Sequence, residues 1–293
     1  MSISVRENMK SKLIERLKAI SRGAPAPIGF GRTFEVTVPA LLLVAVLPRN
    51  EPSLAEAAVR AGADAIALRL CGAATDLLQE TGDLAAEEEQ IRATLAAVGN
   101  AAIVGLIIGS NGHISADDLR KTESLGVDFV AAYPHFTPAN FLELSEVGRL
   151  AILDQQGGQL ARGINDLPIQ SAFVRIARPS DSPPDMTVLD VALCRAAADS
   201  IHRPIIAFPS WKLAPTDLEV LRDAGVEGVA LVGPRPDADA AAVGALVETY
   251  KEKVEQLGKP RGRRVALSSV PVVLPKTAQP AAEGEEDDED EDE

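Results

Sequence analysis

The chain has 293 residues, of which 46% are hydrophobic and only 3% aromatic, so one large aliphatic core is expected in a single domain. The scarcity of aromatic rings argues against single-stranded nucleic-acid binding, which relies on base stacking. The net charge is −14, but ten acidic residues lie in 283–293, and the remaining −4 does not indicate a basic nucleic-acid-binding face.

The N-terminal segment, residues 1–38, predicts one helix followed by a loop. Apolar residues within 5–21 recur at helical spacing and form one face, which consists of Val5, Met9, Leu13, Leu17 and Ile20. Residues 22–38 are rich in glycine and proline and predict a connecting loop. We expect the helix either to close the bottom of the barrel described next or to contact a second subunit, as in a homo-oligomer.

Eight short apolar segments follow, and we interpret each of them as a β-strand. Their apolar residues run almost continuously instead of alternating with polar ones, which is typical of parallel strands covered on both faces. The predicted strands are Ala40–Leu47, Asp64–Leu70, Ala101–Gly109, Val127–Tyr133, Leu150–Gln155, Ala172–Ala177, Pro204–Phe208 and Val229–Val232.

Helical patterns alternate with these strands. The predicted helices are Ser53–Ala61, Glu87–Val98, Ser115–Leu125, Pro138–Glu146, Asp185–Ser200, Thr216–Ala224 and Ala238–Gln256. Between the fifth and sixth strands, glycines and a proline leave room for only a short helix. Eight βα units predict an α/β fold, a closed (β/α)8 TIM barrel over residues 39–258. The alternative is an open doubly wound sheet, which is disfavoured because no GxGxxG follows the first strand.

The composition changes after residue 258. Residues 259–264 are basic, 268–274 form a short run of valine and proline, and the last eleven residues are almost all acidic. Blocks of like charge repel each other, so we predict a disordered acidic C-terminal tail over 259–293. This tail could solubilise the protein, contact a basic partner or fold back onto the basic residues.

Three charged residues lie within otherwise apolar strands, at the ends where barrel enzymes place their chemistry. These residues are Arg69, Asp154 and Arg175. A charge inside a barrel is costly unless it is paired or solvated. One interpretation is therefore an ion pair between Asp154 and Arg175. The other is an anion pocket, in which Arg69 and Arg175 bind a carboxylate or phosphate and Asp154 acts as a general base.

Four further polar residues follow predicted strands. His113 and His135 could transfer protons, although exposed loop histidines are the simpler expectation. Asn111 is a candidate for substrate binding, as is Lys212, which could form a Schiff base if buried but occupies a loop position typical of surface lysines. No spacing of these residues requires a metal, so none is predicted.

The stretch from Arg203 to Pro234 resembles the phosphate-binding (β/α)8 barrels, which include FMN-dependent oxidoreductases such as nitronate monooxygenase. The matching residues are 204–207, Ala224-Gly225, Gly228-Val229 and Val232-Gly233. The resemblance implies that amides after the last two strands hold a phosphate, which would place Ser210 and Gly233 beside a cofactor such as FMN. The chain departs from the family pattern at Pro209, Trp211 and Pro234, where two prolines lack an amide donor and the indole is bulky.

Residues 126–138 are also similar to a segment of the keto-deoxy-phosphogluconate aldolases. Class I members of that family need a lysine on a strand for their Schiff base, and none of the eight predicted strands contains one. Aldolase chemistry of that kind is therefore not expected.

These observations predict an enzyme of lyase or isomerase type that acts on a small anionic metabolite, carboxylated or phosphorylated. An FMN-dependent oxidoreductase is the first alternative. A non-catalytic barrel with a degenerate phosphate site, serving as a binding or scaffold protein, is the second, and the altered loops and the acidic tail favour it.

We also expect a cytoplasmic protein without membrane contact. Cys71 and Cys194 lie too far apart for a metal motif and form no disulfide framework. The charged N-terminus does not resemble a signal peptide, and no apolar run reaches the roughly 18 residues that a membrane span requires.

Overall fold

A computed structural model describes residues 11–23, 38–110, 112–154, 160–178, 183 and 185–258. Some predictions lie outside the described residues. They concern helix residues 5–10, most of the 22–38 loop, Asn111 and the whole 259–293 tail. None of the helices in the described part of the chain is long and apolar enough to cross a membrane.

Eight parallel strands form a closed barrel, which confirms the predicted (β/α)8 fold. The strands pair in chain order, and β1 closes the barrel against β8 through the register from Leu42↔Gly228 to Val46↔Val232. Their bounds are β1 Leu42–Val46, β2 Ala65–Leu70, β3 Ile103–Ile108, β4 Phe129–Ala132, β5 Gly148–Leu153, β6 Ser171–Ile176, β7 Ile205–Pro209 and β8 Gly228–Val232.

Within the described residues, one helix precedes the barrel, and seven α-helices lie between or after its strands. Their bounds are α1 Lys12–Arg22, α2 Pro52–Arg60, α3 Leu84–Val98, α4 Ala116–Ser124, α5 Leu160–Asp166, α6 Val188–Ser200, α7 Asp217–Asp223 and α8 Ala240–Gln256. The short α5 agrees with the limited room expected between the fifth and sixth strands.

The connection between β4 and β5 differs from the predicted helix over Pro138–Glu146. It contains only a five-residue 3-10 helix, Ala139–Glu143. The buried guanidinium of Arg149 donates to the carbonyl oxygens of Leu142 and Leu144 at 2.7 and 2.6 Å. Because these carbonyls point towards Arg149, they are not available to continue an α-helix.

Two predicted helix starts shift to the residue that follows a cap. α3 begins three residues earlier than expected, because the carboxylate of Asp83 accepts from the Ala86 amide. α6 begins three residues later, after a capping box in which Thr187 and Asp190 each accept the other's backbone N–H.

Helix α1 closes the bottom of the barrel, which is one of the two alternatives that the sequence left open. It begins after Ser11, and the carboxylate of Asp128, at the start of β4, accepts from the Ser11 hydroxyl and from the amides of Lys12 and Leu13. Its apolar face is fully buried against the N-terminal ends of the strands. Gly148 permits this contact, because a Cβ there would lie 2.7 Å from the Ser11 hydroxyl.

Truncation tests whether the folded domain ends at residue 258. Val254 is buried, and Arg222 fixes the next turn by donating to the Leu257 carbonyl at 2.9 Å. We therefore expect a chain that ends at Gly258 to keep its melting temperature within a few degrees. A chain ending at Lys253 is the matched control and should melt clearly lower, since it loses both contacts. A large drop for the longer truncated chain, measured by circular dichroism, would refute this domain boundary.

Candidate functional site

A cavity of about 230 Å³ opens at the C-terminal mouth of the barrel. Side chains alternate along a strand, so every second residue points inward. The inward positions nearest the mouth bring together side chains from β2 to β8. The polar residues among its lining are Arg69, Thr75, Ser110, Tyr133, His135, Asp154, Arg175 and Ser210, and apolar walls come from Leu78, Ile107, Ile152, Phe208 and Val232.

Arg69 is buried in the wall of this cavity, with only 3% of its surface exposed. Its two terminal nitrogens donate to the carbonyl oxygens of Gln79 and Ala73 at 2.5 and 2.6 Å. Both carbonyls belong to the β2–α3 loop, residues 71–83. Arg69 therefore fixes this loop over the mouth, and burial lowers the pKa of its guanidinium.

The β2–α3 loop forms part of the cavity wall. Backbone hydrogen bonds join Gly72 to Thr81 in both directions, at 3.2 and 3.0 Å, and make a short antiparallel pair. Between these residues, Leu78 is 7% exposed and packs into the barrel interior. The loop thus narrows the mouth and limits the size of a ligand.

Tyr133 lines the same cavity as Arg69, Asp154 and Arg175. Burial raises the pKa of its hydroxyl, and the charges of Arg175 and Arg69 oppose that effect while Asp154 adds to it. The hydroxyl is therefore within electrostatic reach of all three side chains. Because the net shift is upward, Tyr133 stays protonated at neutral pH and can donate a hydrogen bond or a proton.

Arg175 differs from Arg69 in its availability to a ligand. It is half-buried, and its guanidinium makes no hydrogen bond within the described residues. It lines the cavity together with Asp154 from the neighbouring strand β5. A planar guanidinium in this position is suited to bidentate binding of a carboxylate or phosphate.

The structure brings most of the predicted site residues together and separates the others. Asp154, His135, Arg69, Arg175 and Ser210 all line the cavity. Three predicted residues lie elsewhere: His113 is exposed and packs edge-on against Phe136, Lys212 is exposed beside a separate cavity of about 10 Å³, and Gly233 is buried at the end of β8.

Tyr133 was not among the predicted site residues. The sequence pattern could have identified it, because Phe129 and Ala131 point into the barrel. Tyr133 is the next residue in that alternation, directly after the end of β4, so it also points inward.

At the ends of β7 and β8, the two residues that the resemblance placed beside a phosphate use their backbone amides within the barrel. The amide of Ser210 donates to the Ile176 carbonyl at 3.0 Å, and the amide of Gly233 donates to the Val46 carbonyl at 3.2 Å. Gly233 is explained by packing, because a Cβ there would lie 2.8 Å from Pro48. The backbone amides of both residues are therefore used by the barrel itself.

The side chains beyond β6 and β7 form a compact cluster, here named the Arg178 cluster, of Arg178, Asp190, Trp211 and Thr187. The guanidinium of Arg178 lies 3.4 Å from the centre of the Trp211 ring and forms an ion pair with Asp190. Both partners of the pair are more than 90% buried. The cluster ties two adjacent loops to the start of α6 and keeps Arg178 away from a ligand.

The described residues contain no group of three His, Cys, Asp or Glu side chains that could hold a metal ion. The cavity is lined by a guanidinium of the kind that binds anions, Arg175, and by three side chains of kinds that can transfer protons, Tyr133, Asp154 and His135.

No protein-family model and no curated protein matches the sequence. Solved structures of similar shape are TIM barrels. Thiamine phosphate pyrophosphorylase from Pyrococcus furiosus has a TM-score of 0.54 at 16% identity, covering 75% of this chain and 98% of its own. Phosphoribosyl anthranilate isomerase from Thermus thermophilus has a TM-score of 0.53 at 14% identity, covering 72% of this chain and 99% of its own. Tryptophan synthase from Mycobacterium tuberculosis has a TM-score of 0.54 at 14% identity, covering 73% of this chain and 93% of its own. Identities this low establish the fold alone.

Proposed function

We propose that this barrel is an enzyme of lyase or isomerase type that acts on a small anionic metabolite, carboxylated or phosphorylated, at its C-terminal mouth. The observation that carries the proposal is the position of Tyr133, a protonated hydroxyl within electrostatic reach of Arg175 and Asp154 in one cavity. The names of the structurally similar isomerase and synthases are consistent with such chemistry.

Each group has a role that follows from its chemistry. Arg175 binds the anionic group of the substrate. Asp154 removes a proton from the carbon next to a carbonyl or carboxyl group, and Tyr133 donates its proton to the oxygen on which negative charge develops. His135, exposed at the rim, exchanges protons with solvent. Arg69 holds the β2–α3 loop and favours an anion through its buried charge.

The FMN-dependent alternative receives less support. The amides of Ser210 and Gly233 are used within the barrel, so these two amides do not fit the phosphate of FMN. A non-catalytic binding barrel is the second candidate, because the amides of Ser210 and Gly233 are used within the barrel while Arg175 still lines a cavity that can hold an anion.

Replacing Arg175 by glutamine tests the proposal. Hydrogen bonds to charged groups contribute about 1.5–3 kcal/mol, so we expect affinity for small anions to fall about 30-fold. The probes are pyruvate, glycolate and glycerate with their phosphorylated counterparts, and the measurement is isothermal titration calorimetry. Arg195→Gln, an exposed arginine on α6, is the control and should bind as the unaltered protein does. Equal binding by the Arg175 variant would contradict the proposed role.

A second measurement separates the enzyme from the binding protein. For an anion that binds, we expect the protein to exchange hydrogen on a carbon next to a carbonyl or carboxylate group with D₂O, detected by proton NMR. Tyr133→Phe removes the proton donor and should slow that exchange at least about tenfold while binding persists. Binding without any exchange would favour the non-catalytic barrel.

A further inference from the structure

We infer that the ligand of this cavity is amphipathic, with an anionic group at one end and a short aliphatic group at the other, and that Leu78 sets the length of the aliphatic end. The inference rests on the proposed function, in which Arg175 binds the anionic group, and it specifies the remainder of the ligand. It follows from the division of the mouth into a half with charged and protic side chains and a half with an apolar wall.

The first half of the mouth lies beyond three consecutive strands of the barrel, β4, β5 and β6. Tyr133 follows β4, Asp154 follows β5, and Arg175 is the last residue but one of β6. All three side chains line the cavity. A guanidinium binds anions, while tyrosine and aspartate can transfer protons, so the anionic group and the reacting carbon belong on this side.

The second half of the mouth lies beyond β8, β1 and β2, which are also consecutive because β1 closes the barrel against β8. The loops of this half, residues 47–51, 71–83 and 233–239, all belong to the described part of the chain. Leu78 and Val232 line the cavity here. Leu78 is part of the apolar cluster inside the barrel, and Val232 packs against that cluster.

Contacts of the residue after Leu78 hold this leucine on the second half. The backbone amide of Gln79 donates to the carbonyl of Pro48, just beyond β1, at 2.9 Å. The side chain of Gln79 donates to the carbonyl of Pro236, beyond β8, at 3.0 Å. Leu78 is only 7% exposed, so these bonds fix a buried apolar side chain in the wall on the side of β1 and β8.

The polar side chains that line this half are hydrogen-bonded to the β2–α3 loop. Arg69 donates to two carbonyl oxygens of the loop, and the hydroxyl of Thr75 accepts from two of its amides, at 3.2 and 3.1 Å. A ligand that extends to this side therefore meets the apolar surfaces of Leu78 and Val232. Covering these surfaces with an aliphatic group removes them from water, which favours binding.

The position of Leu78 limits how far such a group can extend. Arg175 lies on β6 and Leu78 beside β1, so a ligand bound to the arginine crosses the cavity towards the leucine. The cavity volume of about 230 Å³ admits only a compact molecule. One methylene too many in a filled apolar pocket changes binding by about tenfold or more, so a smaller residue at position 78 should admit a longer chain.

Two series of anions with increasing chain length test the inference on the full chain. The first runs through the unbranched 2-oxo acids from pyruvate to 2-oxooctanoate, and the second through the alkyl phosphates from methyl to hexyl phosphate, so the two kinds of anionic group are compared. Calorimetry measures each dissociation constant. In at least one series we expect affinity to rise with chain length and to fall beyond a limiting length.

In Leu78→Ala the limiting length should increase by at least one carbon. The first compound beyond the original limit should then bind at least about tenfold more tightly than it binds to the unaltered protein. Leu77→Ala is the matched control, because Leu77 lies in the same loop and packs against the same interior cluster but is not a lining residue of the cavity. This variant should keep the original limit.

A second substitution separates the cavity size from the stability of the loop. Leu78→Val removes a single carbon and should increase the limiting length by one carbon while the loop stays in place. Hydrogen exchange at the amides of Gly72 and Thr81, which pair across the loop, checks its position in every variant. If the alanine variant loses this protection, the valine variant provides the comparison.

The outcomes separate the inference from the proposed function. If Arg175→Gln weakens all members of a series by a common factor and keeps the limiting length, the two ends of the ligand bind independently, as inferred. If anions bind but the unaltered protein shows no limiting length, or the limit is the same in both Leu78 variants, only the inference fails. If no member of either series binds, the proposed function fails together with the inference.

Discussion

Replacing Asp190 by alanine is expected to lower the free energy of unfolding by about 3–5 kcal/mol, because it removes the buried carboxylate that pairs with the guanidinium of Arg178. The carboxylate of Asp190 is 2% exposed and also accepts from the amide and hydroxyl of Thr187, at 2.8 and 2.7 Å. Its loss therefore breaks the buried ion pair and the cap of α6 together. Chemical denaturation, followed by circular dichroism, measures the change.

Asp199→Ala is the matched control for this variant. Asp199 lies on the same helix and pairs with Arg195, but both partners are about half exposed. An exposed pair contributes little, so we expect a change within about 0.5 kcal/mol. Both variants gain the same helix propensity from alanine, so their difference isolates the buried contacts. Equal stability of the two variants would show that the Arg178 cluster contributes nothing.

The pH dependence provides a second test of Asp190. Burial alone would raise the pKa of this carboxyl, but Arg178 and the Thr187 donors outweigh burial and hold the pKa below its usual range. A lowered pKa in the folded state means that the stabilisation is complete above the ordinary aspartate pKa of about 3.9 and is lost as the pH falls below it. The stability difference between the unaltered protein and Asp190→Ala should therefore be constant near neutral pH and shrink below about pH 4.

The single tryptophan of the chain reports on the same cluster. Trp211 stacks on Arg178, whose orientation depends on Asp190. In Asp190→Ala we expect its fluorescence maximum to shift to the red while the protein is still folded, because the released arginine no longer covers the ring.

The fold was predictable because its local signals agree with one another. Glycines at the helix-to-strand junctions, such as Gly62, Gly126 and Gly225, have φ angles of 95°, 85° and 94°. In that left-handed region glycine carries no steric cost, so each residue marks where a helix ends and a strand begins. Together with eight continuous apolar runs, these junctions define the repeated βα unit without any tertiary information.

The candidate site was predictable only in part, because the sequence shows which residues lie at strand ends but not what they contact. The charges of Arg69, Asp154 and Arg175 within apolar strands indicated the cavity that the structure contains. The partners of Arg69 could not be predicted, since they are carbonyls of a loop without regular structure.

Gly233 is the converse case, a residue whose sequence pattern suggested a role that its neighbours in the structure explain differently. Its place in a phosphate-site pattern suggested a ligand contact, but its lack of a side chain accommodates Pro48. A sequence pattern identifies a position where the backbone needs space, and only the three-dimensional neighbours reveal what uses that space.

Replacing Arg69 by methionine is expected to destabilise the protein by about 2–4 kcal/mol and to release the β2–α3 loop. Methionine retains much of the volume but removes both donors, so the carbonyls of Ala73 and Gln79 lose their partner in two part-buried hydrogen bonds, where the cost of an unpaired buried group, about 1–3 kcal/mol, is an upper bound for each. Removing a desolvated cation opposes this loss, since burial disfavours the charge of Arg69. The two lost hydrogen bonds cost more than the removed desolvation penalty returns, unless the loop moves and both carbonyls bind water instead.

Hydrogen exchange distinguishes these possibilities. In the unaltered protein, the amides of Gly72 and Thr81 are paired with each other's carbonyls, so they should be protected. In Arg69→Met we expect both to lose protection at least about tenfold more than amides of β3, because the loop opens separately from the barrel. Arg92→Met, on the exposed face of α3, removes a charge without affecting the loop and should leave both amides unchanged. Unaltered protection in Arg69→Met would show that the antiparallel pair holds the loop without Arg69, and that this arginine is available to a ligand after all.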